Sequence, residues 1–367
     1  MAPVHERPGS NSHAHLAGAA APDHVRVDDA GQLIAAIPAM LRFVPTRSLV
    51  LAMICPTAEA PRAIRLLVRF DLDTVTNPTE TREVVAYLEW QYGNENATAA
   101  LVIIVDDRPH ATGTARMVID VLRASAMKLT RAWLVPTITA GETYRALLDG
   151  DTDGTVNDPA TSPLARALTP DGVQIHNSRT DLLDLIAVDP AAVAQLAPLI
   201  GPAVAAYRTG LAAALAADLG TAFRRDAARA VLDKIAVDSE SGRTPNDLAA
   251  VVAALRDMRI RDAMLGLSGT RWAPAAQTLW QSVARASTGR DRAEAAMLCG
   301  YDAYHRSDAV YARICLQAAL HADSEHSMAV VLNTALDHGE RPDRIAMIAH
   351  TGRAVAADLG IDLTTAI

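Results

Sequence analysis

Cysteine, lysine and aromatic side chains are all scarce in this chain of 367 residues. Cys55, Cys299 and Cys315 are the only cysteines; they are widely spaced and form no CxxC pair. That excludes a disulfide framework and suits a reducing, cytoplasmic setting. Lys128 and Lys234 are the only lysines, so nearly all positive charge is arginine. Aromatics are 4% of residues while hydrophobic residues are 50%, mostly Ala, Val and Leu. A core of that kind is built from many small contacts and lets helices approach closely.

No excess of positive charge exists to bind nucleic acid. The formal net charge is −8, and the densest basic stretches, "FRRDAAR" (223–229) and "RDMRIR" (256–261), are each interrupted by aspartate. Backbone binding to nucleic acid needs clustered cations to displace counterions, so no nucleic-acid partner is expected. The N-terminal stretch lacks a basic region followed by a sustained apolar core and reads as a flexible tail over 1–24. His13 and His15 in it are poor evidence for a metal site. The apolar run "PAAVAQLAPLIGPAVAAY" (190–207) nears membrane-spanning length but is mostly alanine and contains Gln195, Pro198 and Pro202. It reads as a soluble helix, and no membrane association is expected.

Catalytic signatures are missing as well. There is no GxxxxGK[ST], no GxGxxG after a strand, no GxSxG and no HExxH. No cofactor is expected.

What is present is a clear alternation in the first half. "DDAGQLIAAIPAMLRF" (28–43) has helical spacing, with Asp28 or Asp29 as cap. "SLVLAMIC" (48–55) and "AIRLLVRFDL" (63–72) read as strands, joined by a link too short for a crossover helix and therefore antiparallel. A helix over 78–93 leads to "AALVIIVDD" (99–107), apolar on both faces as a covered central strand should be. A helix over 114–127 and a strand over 131–136 follow. The pattern predicts an α/β layered domain with a mixed sheet over 25–188, including a late strand at 173–178.

Beyond residue 189 only helical patterns remain, over 203–236, 245–264, 274–286, 293–305, 308–321, 327–337 and 342–358. The second half is therefore expected to be all-α, over 189–367. In 293–326, Gly300 on one helix and Ala312, Leu316 and Ala319 on the next have the spacing of a tetratricopeptide-type hairpin; a plain helical bundle would use the same small residues.

Several segments together resemble the domain-of-unknown-function 4192 family, found mainly in high-GC Gram-positive bacteria. They are "LIAAIPAMLRFVPTRSLVLAMI" (33–54), "VRFDL" (68–72), "GVQIHNSRTDLLDLI" (172–186), "RIRDAMLGL" (259–267), "LWQSVAR" (279–285) and 303–329. The resemblance implies one two-part architecture and supplies no activity. The family pattern often carries a Cys-Cys-Pro segment before the Ser-Arg stretch. Here that region is Asp/Gly-rich and has no cysteine, so any metal or redox role of those cysteines does not carry over.

Three constellations could carry chemistry. Asp149, Asp151, Asp153, Gly154 and Val156 match an EF-hand loop, yet the bidentate twelfth position is Ala160 and Pro159 obstructs an exiting helix; an Asx-rich turn is the better reading and no metal is favoured. Asp106 and Asp107 end the strongest strand and Asp71 and Asp73 end the second. Ligands collect at strand carboxyl ends in α/β folds, so Asp71, Asp106 and Asp107 are the candidate ligand-binding residues, meeting if their strands lie side by side and parallel; aspartates that start turns and cap helices are the better reading. Third, "FVPTRS" (43–48) could place Arg47 and Ser48 near an anionic ligand, but a tight helix-to-strand connection is the better reading. Arg179–Asp181, Arg261–Asp262 and Arg290–Asp291 read as surface or hinge pairs.

The expected function is a non-catalytic cytoplasmic adaptor or regulator that meets a protein partner through its helical half. A small-molecule or nucleotide-binding enzyme or sensor, with its ligand at the strand ends, is the alternative. A homo-oligomer is compatible with either.

Overall fold

A computed structural model of the chain describes residues 15–17, 29–54, 64–75, 77–92, 99–168, 174–237 and 242–363. The architecture is α/β followed by all-α. Two compact units divide at Asp181/Leu182, ahead of the expected boundary at 189.

The first unit contains β1 (His15–Ala17), α1 (Ala30–Leu41), β2 (Ser48–Ile54), β3 (Ile64–Asp71), α2 (Pro78–Tyr92), β4 (Ala99–Val105), α3 (Ala111–Arg123), β5 (Leu129–Val135), β6 (Thr143–Ala146), β7 (Gly154–Thr155) and α4 (Pro163–Leu168). A short helix, α5 (Arg179–Asp184), runs across the division. Asp29 caps α1 by accepting from the Gln32 amide at 2.8 Å, and the helix ends on Arg42 in the left-handed region, φ 66°. The sheet is mixed, in the order β1-β3-β2-β4-β5-β6-β7. β2 and β3 are antiparallel, as their short link requires. β4 and β5, joined through α3, are parallel.

β2 lies between β3 and β4 and runs antiparallel to both. The two strands bearing the aspartates are therefore not neighbours, which corrects the side-by-side expectation. They still run the same way, and the register puts Asp71 and Val105 on either side of Ser48. One face of the sheet packs Leu49, Leu51, Val68, Phe70, Val102 and Ile104 against α2 and α3. Val50, Ala52 and Ile103, which point the other way, are also fully buried. β4 is thus covered on both faces, as its unbroken apolar run anticipates.

From 137 to 178 short elements form among the described residues that no regular pattern announces, β6, β7 and α4. The late strand expected at 173–178 is a single bridge, Phe43 to His176. β1 falls within the stretch read as a tail and pairs with β3. His13 and Cys55 lie outside the described residues.

The second unit comprises α6 (Pro190–Ala216), α7 (Gly220–Ala236), α8 (Pro245–Leu255), α9 (Met258–Leu265), α10 (Ala273–Ala286), α11 (Gly289–His305), α12 (Ala309–Ala322), α13 (Ser327–Asp337) and α14 (Pro342–Asp358). Asp189 caps α6 through the amides of Ala191 and Ala192. The helix expected over 203–236 is two helices: Asp218 turns left-handed, φ 59°, and the Leu219 amide closes back on the Ala214 carbonyl at 2.7 Å. The helix expected over 245–264 breaks at Asp257. One of its carboxylate oxygens accepts from Tyr207 and Arg224, and the other caps α9 at the Arg259 amide.

In the α11–α12 hairpin a Cβ on Gly300 would lie 2.8 Å from Leu316 Cγ, so the small residue is what lets these helices close. Cys299 and Cys315 are free thiols, fully buried in the same pair. Burial first, and the neighbouring Cys315 second, push the Cys299 thiol up. α6 is the one helix among the described residues long and apolar enough, by length and composition, to cross a membrane; Pro198 and Pro202 lie within it.

Candidate functional site

The carboxyl ends of β3 and β4 gather most of the buried polar chemistry of the first unit. Asp106 follows directly on β4, its amide bonded to the Val135 carbonyl at 3.0 Å. Its carboxylate is fully buried and is matched by Arg108, which donates Nε to Oδ1 at 2.7 Å and Nη2 to Oδ2 at 3.1 Å. Arg108 also reaches across β2 to Asp73 beyond β3, Nη1 to Oδ1 at 2.8 Å. The hydrogen bond to Asp106 raises the Arg108 pKa, against the effect of burial. Asp106 and Asp73 are therefore joined through the Arg108 guanidinium.

Asp71 starts the turn after β3. Its Oδ1 accepts from the Asp73 amide at 3.1 Å, and its Oδ2 stands 3.4 Å from Arg69 Nη2. Arg69 is 5% exposed although it belongs to the polar side of the strand pattern, because it shares the sheet face of its partner Val50, and that face is covered too. It donates Nε to Ser48 Oγ at 2.8 Å, and the Ser48 hydroxyl in turn donates to the Thr46 carbonyl at 2.7 Å. The serine hydroxyl is spent on the main chain and is not offered to a base. Arg47, left-handed at φ 42°, presents its guanidinium 3.6 Å from Asp73. Asp107 is exposed, apart from the network that Asp106 enters.

A distant segment closes the arrangement. The His176 amide donates to the Arg42 carbonyl at 2.8 Å, and the Val44 amide to the His176 carbonyl at 3.0 Å. Ser178 and Asp181 then cap each other: the serine hydroxyl donates to the carboxylate at 2.9 Å, and the Asp181 amide returns a bond to Ser178 Oγ at 3.1 Å. Asp181 is thus used by Ser178 and not by Arg179. Arg179 is brought within the field of Arg69 and Asp71; burial first, then the Arg69 charge, lower its pKa to about 10. Burial lowers Arg69 too, with Asp71 opposing. Arg179 Nε is buried with no hydrogen-bond partner among the described residues.

The net effect differs from an acid cluster. Arg47, Arg69 and Arg108 converge with Asp71, Asp73 and Asp106, each of these carboxylates faces an arginine, and Arg179 lies within the field of Arg69 and Asp71. Asp71 and Asp106 were legible from their strand-end positions. Arg69, Arg108 and the placement of Arg179 were not, though the "VRFDL" and "DDRP" spellings carry two of them.

In the loop at 149, Asp151 accepts from Arg131 Nη1 at 2.6 Å and from the Ala132 amide at 3.0 Å, while Asp153 accepts from the Ala146 amide at 2.8 Å. Asp149 is exposed. These carboxylates tie the loop to β5 and β6. Among the described residues, no group of three or more His, Cys, Asp or Glu is placed to hold a metal ion. Of the other paired candidates, Arg261 does meet Asp262, at 2.6 Å, whereas Asp291 is held by Arg256 at 2.7 Å and not by Arg290.

Two of the segments that carry the family resemblance, 33–54 and 172–186, meet at this strand end through Phe43 and His176. The sequence model of the family described as a domain of unknown function, DUF4192, matches residues 31–343. The chain belongs to this family. The DUF4192 match spans the strand-end network and most of the helical unit. No curated protein and no solved structure matches the chain.

Proposed function

We propose that this DUF4192 protein is a cytoplasmic, small-ligand-responsive binding protein whose ligand site is the carboxyl end of the first unit's sheet. The observation that carries the reading is the concentration there of buried polar side chains contributed by separate segments: Ser48, Arg69 and Asp106 are each 5% exposed or less. Burying such groups is costly unless their partners are fixed, and the cost is commonly met at functional sites. The left-handed Arg42 and Arg47 add backbone strain at the same turn. The position agrees with the tendency of α/β sheets to bind ligands outside strand carboxyl ends.

A second reading, contact with a protein partner or a second copy through the helical unit, is favoured by α6. Only Leu196 and Val204 of its 27 residues are buried, and Leu215 and Leu219 near its end are 55% and 58% exposed. The two readings are compatible: ligand binding in one unit, partner contact in the other.

The test is a thermal-melting screen of the purified chain against nucleotides, common metabolites, Mg²⁺, Ca²⁺ and a chelator. A ligand that binds only the folded state raises stability by about 2.7 kcal/mol at a hundredfold excess over its Kd. A nucleotide or metabolite is expected to shift the melt, and the shift is expected to shrink in R47A and D73N. Both side chains are about half exposed, 54% and 51%, so these variants should fold. A shift from Ca²⁺ alone would return attention to Asp149, Asp151 and Asp153. Full-sized ligand shifts in both variants would remove the strand end from consideration.

A further inference from the structure

Arg179 narrows the chemistry of the ligand. Its Nε–H is buried without an acceptor among the described residues, and an unmatched buried donor of this kind is normally met by something that accepts. Arg69, a second cation, and Asp71 lie within its electrostatic field, and Asp71 is already engaged by the Asp73 amide and by Arg69. Asp71 pairs with Arg69 at 3.4 Å, and no ion pair joins it to Arg179 among the described residues. Nearby, Arg108 and Asp106 satisfy each other, so no spare negative charge comes from that side. Two guanidinium groups in each other's field favour an anion and repel a cation.

We infer that the strand end binds an oxyanion, a phosphoryl or carboxylate group whose oxygens accept from the Arg179 guanidinium beside Arg69. A planar guanidinium matches two oxygens of such a group at once, which an ammonium does not. An anion there accepts from the orphaned Nε–H and relieves the repulsion between the two arginines. The inference rests on the strand end being the ligand site, and it adds the chemical class.

The experiment is calorimetric titration of the full chain with inorganic phosphate and, separately, with succinate, at ionic strength held constant with sodium chloride. Wild type is compared with R179Q and R179K, and the unliganded melting temperature of each variant checks that it folds. Saturable binding of one of the two anions to wild type is expected. R179Q should bind about tenfold more weakly or worse, the loss of one charge-assisted contact. R179K should lie between, since it keeps the charge and loses the fork. Binding of phosphate alone assigns a phosphoryl group, and of succinate alone a carboxylate. Absence of binding to wild type, or equal binding by R179Q, overturns the inference. If neither anion binds while a neutral compound from the melting screen shifts wild type and not R47A, the oxyanion falls and the strand-end site stands. If nothing shifts wild type, both fall.

Discussion

Arg69 on β3 and Ser48 on β2 sit diagonally across the strand pair, and the arginine Nε donates to the serine Oγ at 2.8 Å. The bond is buried, and through Ser48 it continues to the Thr46 carbonyl. It ties the turn before β2 to the end of β3, the two edges of the proposed site. S48A should leave Arg69 Nε without its acceptor and cost about 1–3 kcal/mol, the price of orphaning a buried donor. Urea unfolding of wild type and variant measures it; a change under about 0.5 kcal/mol, the range of ordinary surface substitutions, would mean the bond is not structural.

Asp106 and Asp107 are adjacent in sequence and opposite in role. Asp106 is fully buried against Arg108, and Asp107 is exposed. D106N should destabilise by about 2–4 kcal/mol because it strips a buried, two-point ion pair, whereas D107N should change stability by less than about 0.5 kcal/mol. Chemical denaturation of the two variants side by side reads the contrast. Equal effects would contradict the placement of Asp106 in the network.

Much of the fold was legible because it rests on periodicity. The unbroken apolar run of β4 announces a doubly covered strand, and the short β2–β3 link allows only a hairpin. The breaks were harder. Asp218 and Asp257 interrupt apolar patterns that continue on both sides of them, and Asp257 acts through Tyr207 and Arg224, far away in sequence. β6 and β7 are too short to show a period, and side chains such as Asp151 and Asp153 hold that region in place of a pattern. At the candidate site, strand-end logic finds Asp71 and Asp106. It does not find that arginines match them, because Arg69 looks like an outward-facing residue until the second face of the sheet is covered. Arg179 looked paired with Asp181 two positions on, but the Ser178–Asp181 turn takes that carboxylate.

A backbone crossing in the helical unit gives a sharp test of packing. A Cβ on Gly352 of α14 would lie 2.4 Å from the Gly266 amide nitrogen, just beyond α9, and 2.7 Å from the Asp262 carbonyl oxygen. Backbone on both sides cannot yield as a flexible side chain can, so G352A should cost about 3 kcal/mol. Gly113 in α3 has nothing within 4 Å of the same added atom, and G113A should stabilise by about 0.5–1 kcal/mol through helix propensity. Melting temperatures of the two variants should move in opposite directions. A neutral G352A would contradict the α9–α14 approach.

Acid should weaken the start of α8. Hydrogen bonds from Lys234, and then from Thr244, hold the Asp247 carboxyl at about 2, below its ordinary 3.8. A depressed carboxylate pKa stabilises the fold above the unfolded value, and that stability is lost as pH falls from about 4 through about 2. The pair is partly exposed, with Asp247 25% accessible and Lys234 34%, so solvent screening reduces the contribution to about 1 kcal/mol. Wild type should exceed D247N by that amount at pH 5 and converge with it near pH 2. A difference that persists at pH 2 would assign the effect to something other than the carboxylate charge.

The most direct test of the central claim is hydrogen–deuterium exchange of the full chain with and without the compound that gives the largest melting shift. The account predicts slowed exchange in the segments 42–48, 69–73, 106–108 and 176–181, which form the strand end. Protection confined to the helices from 190 onward, with those four segments unchanged, would contradict it.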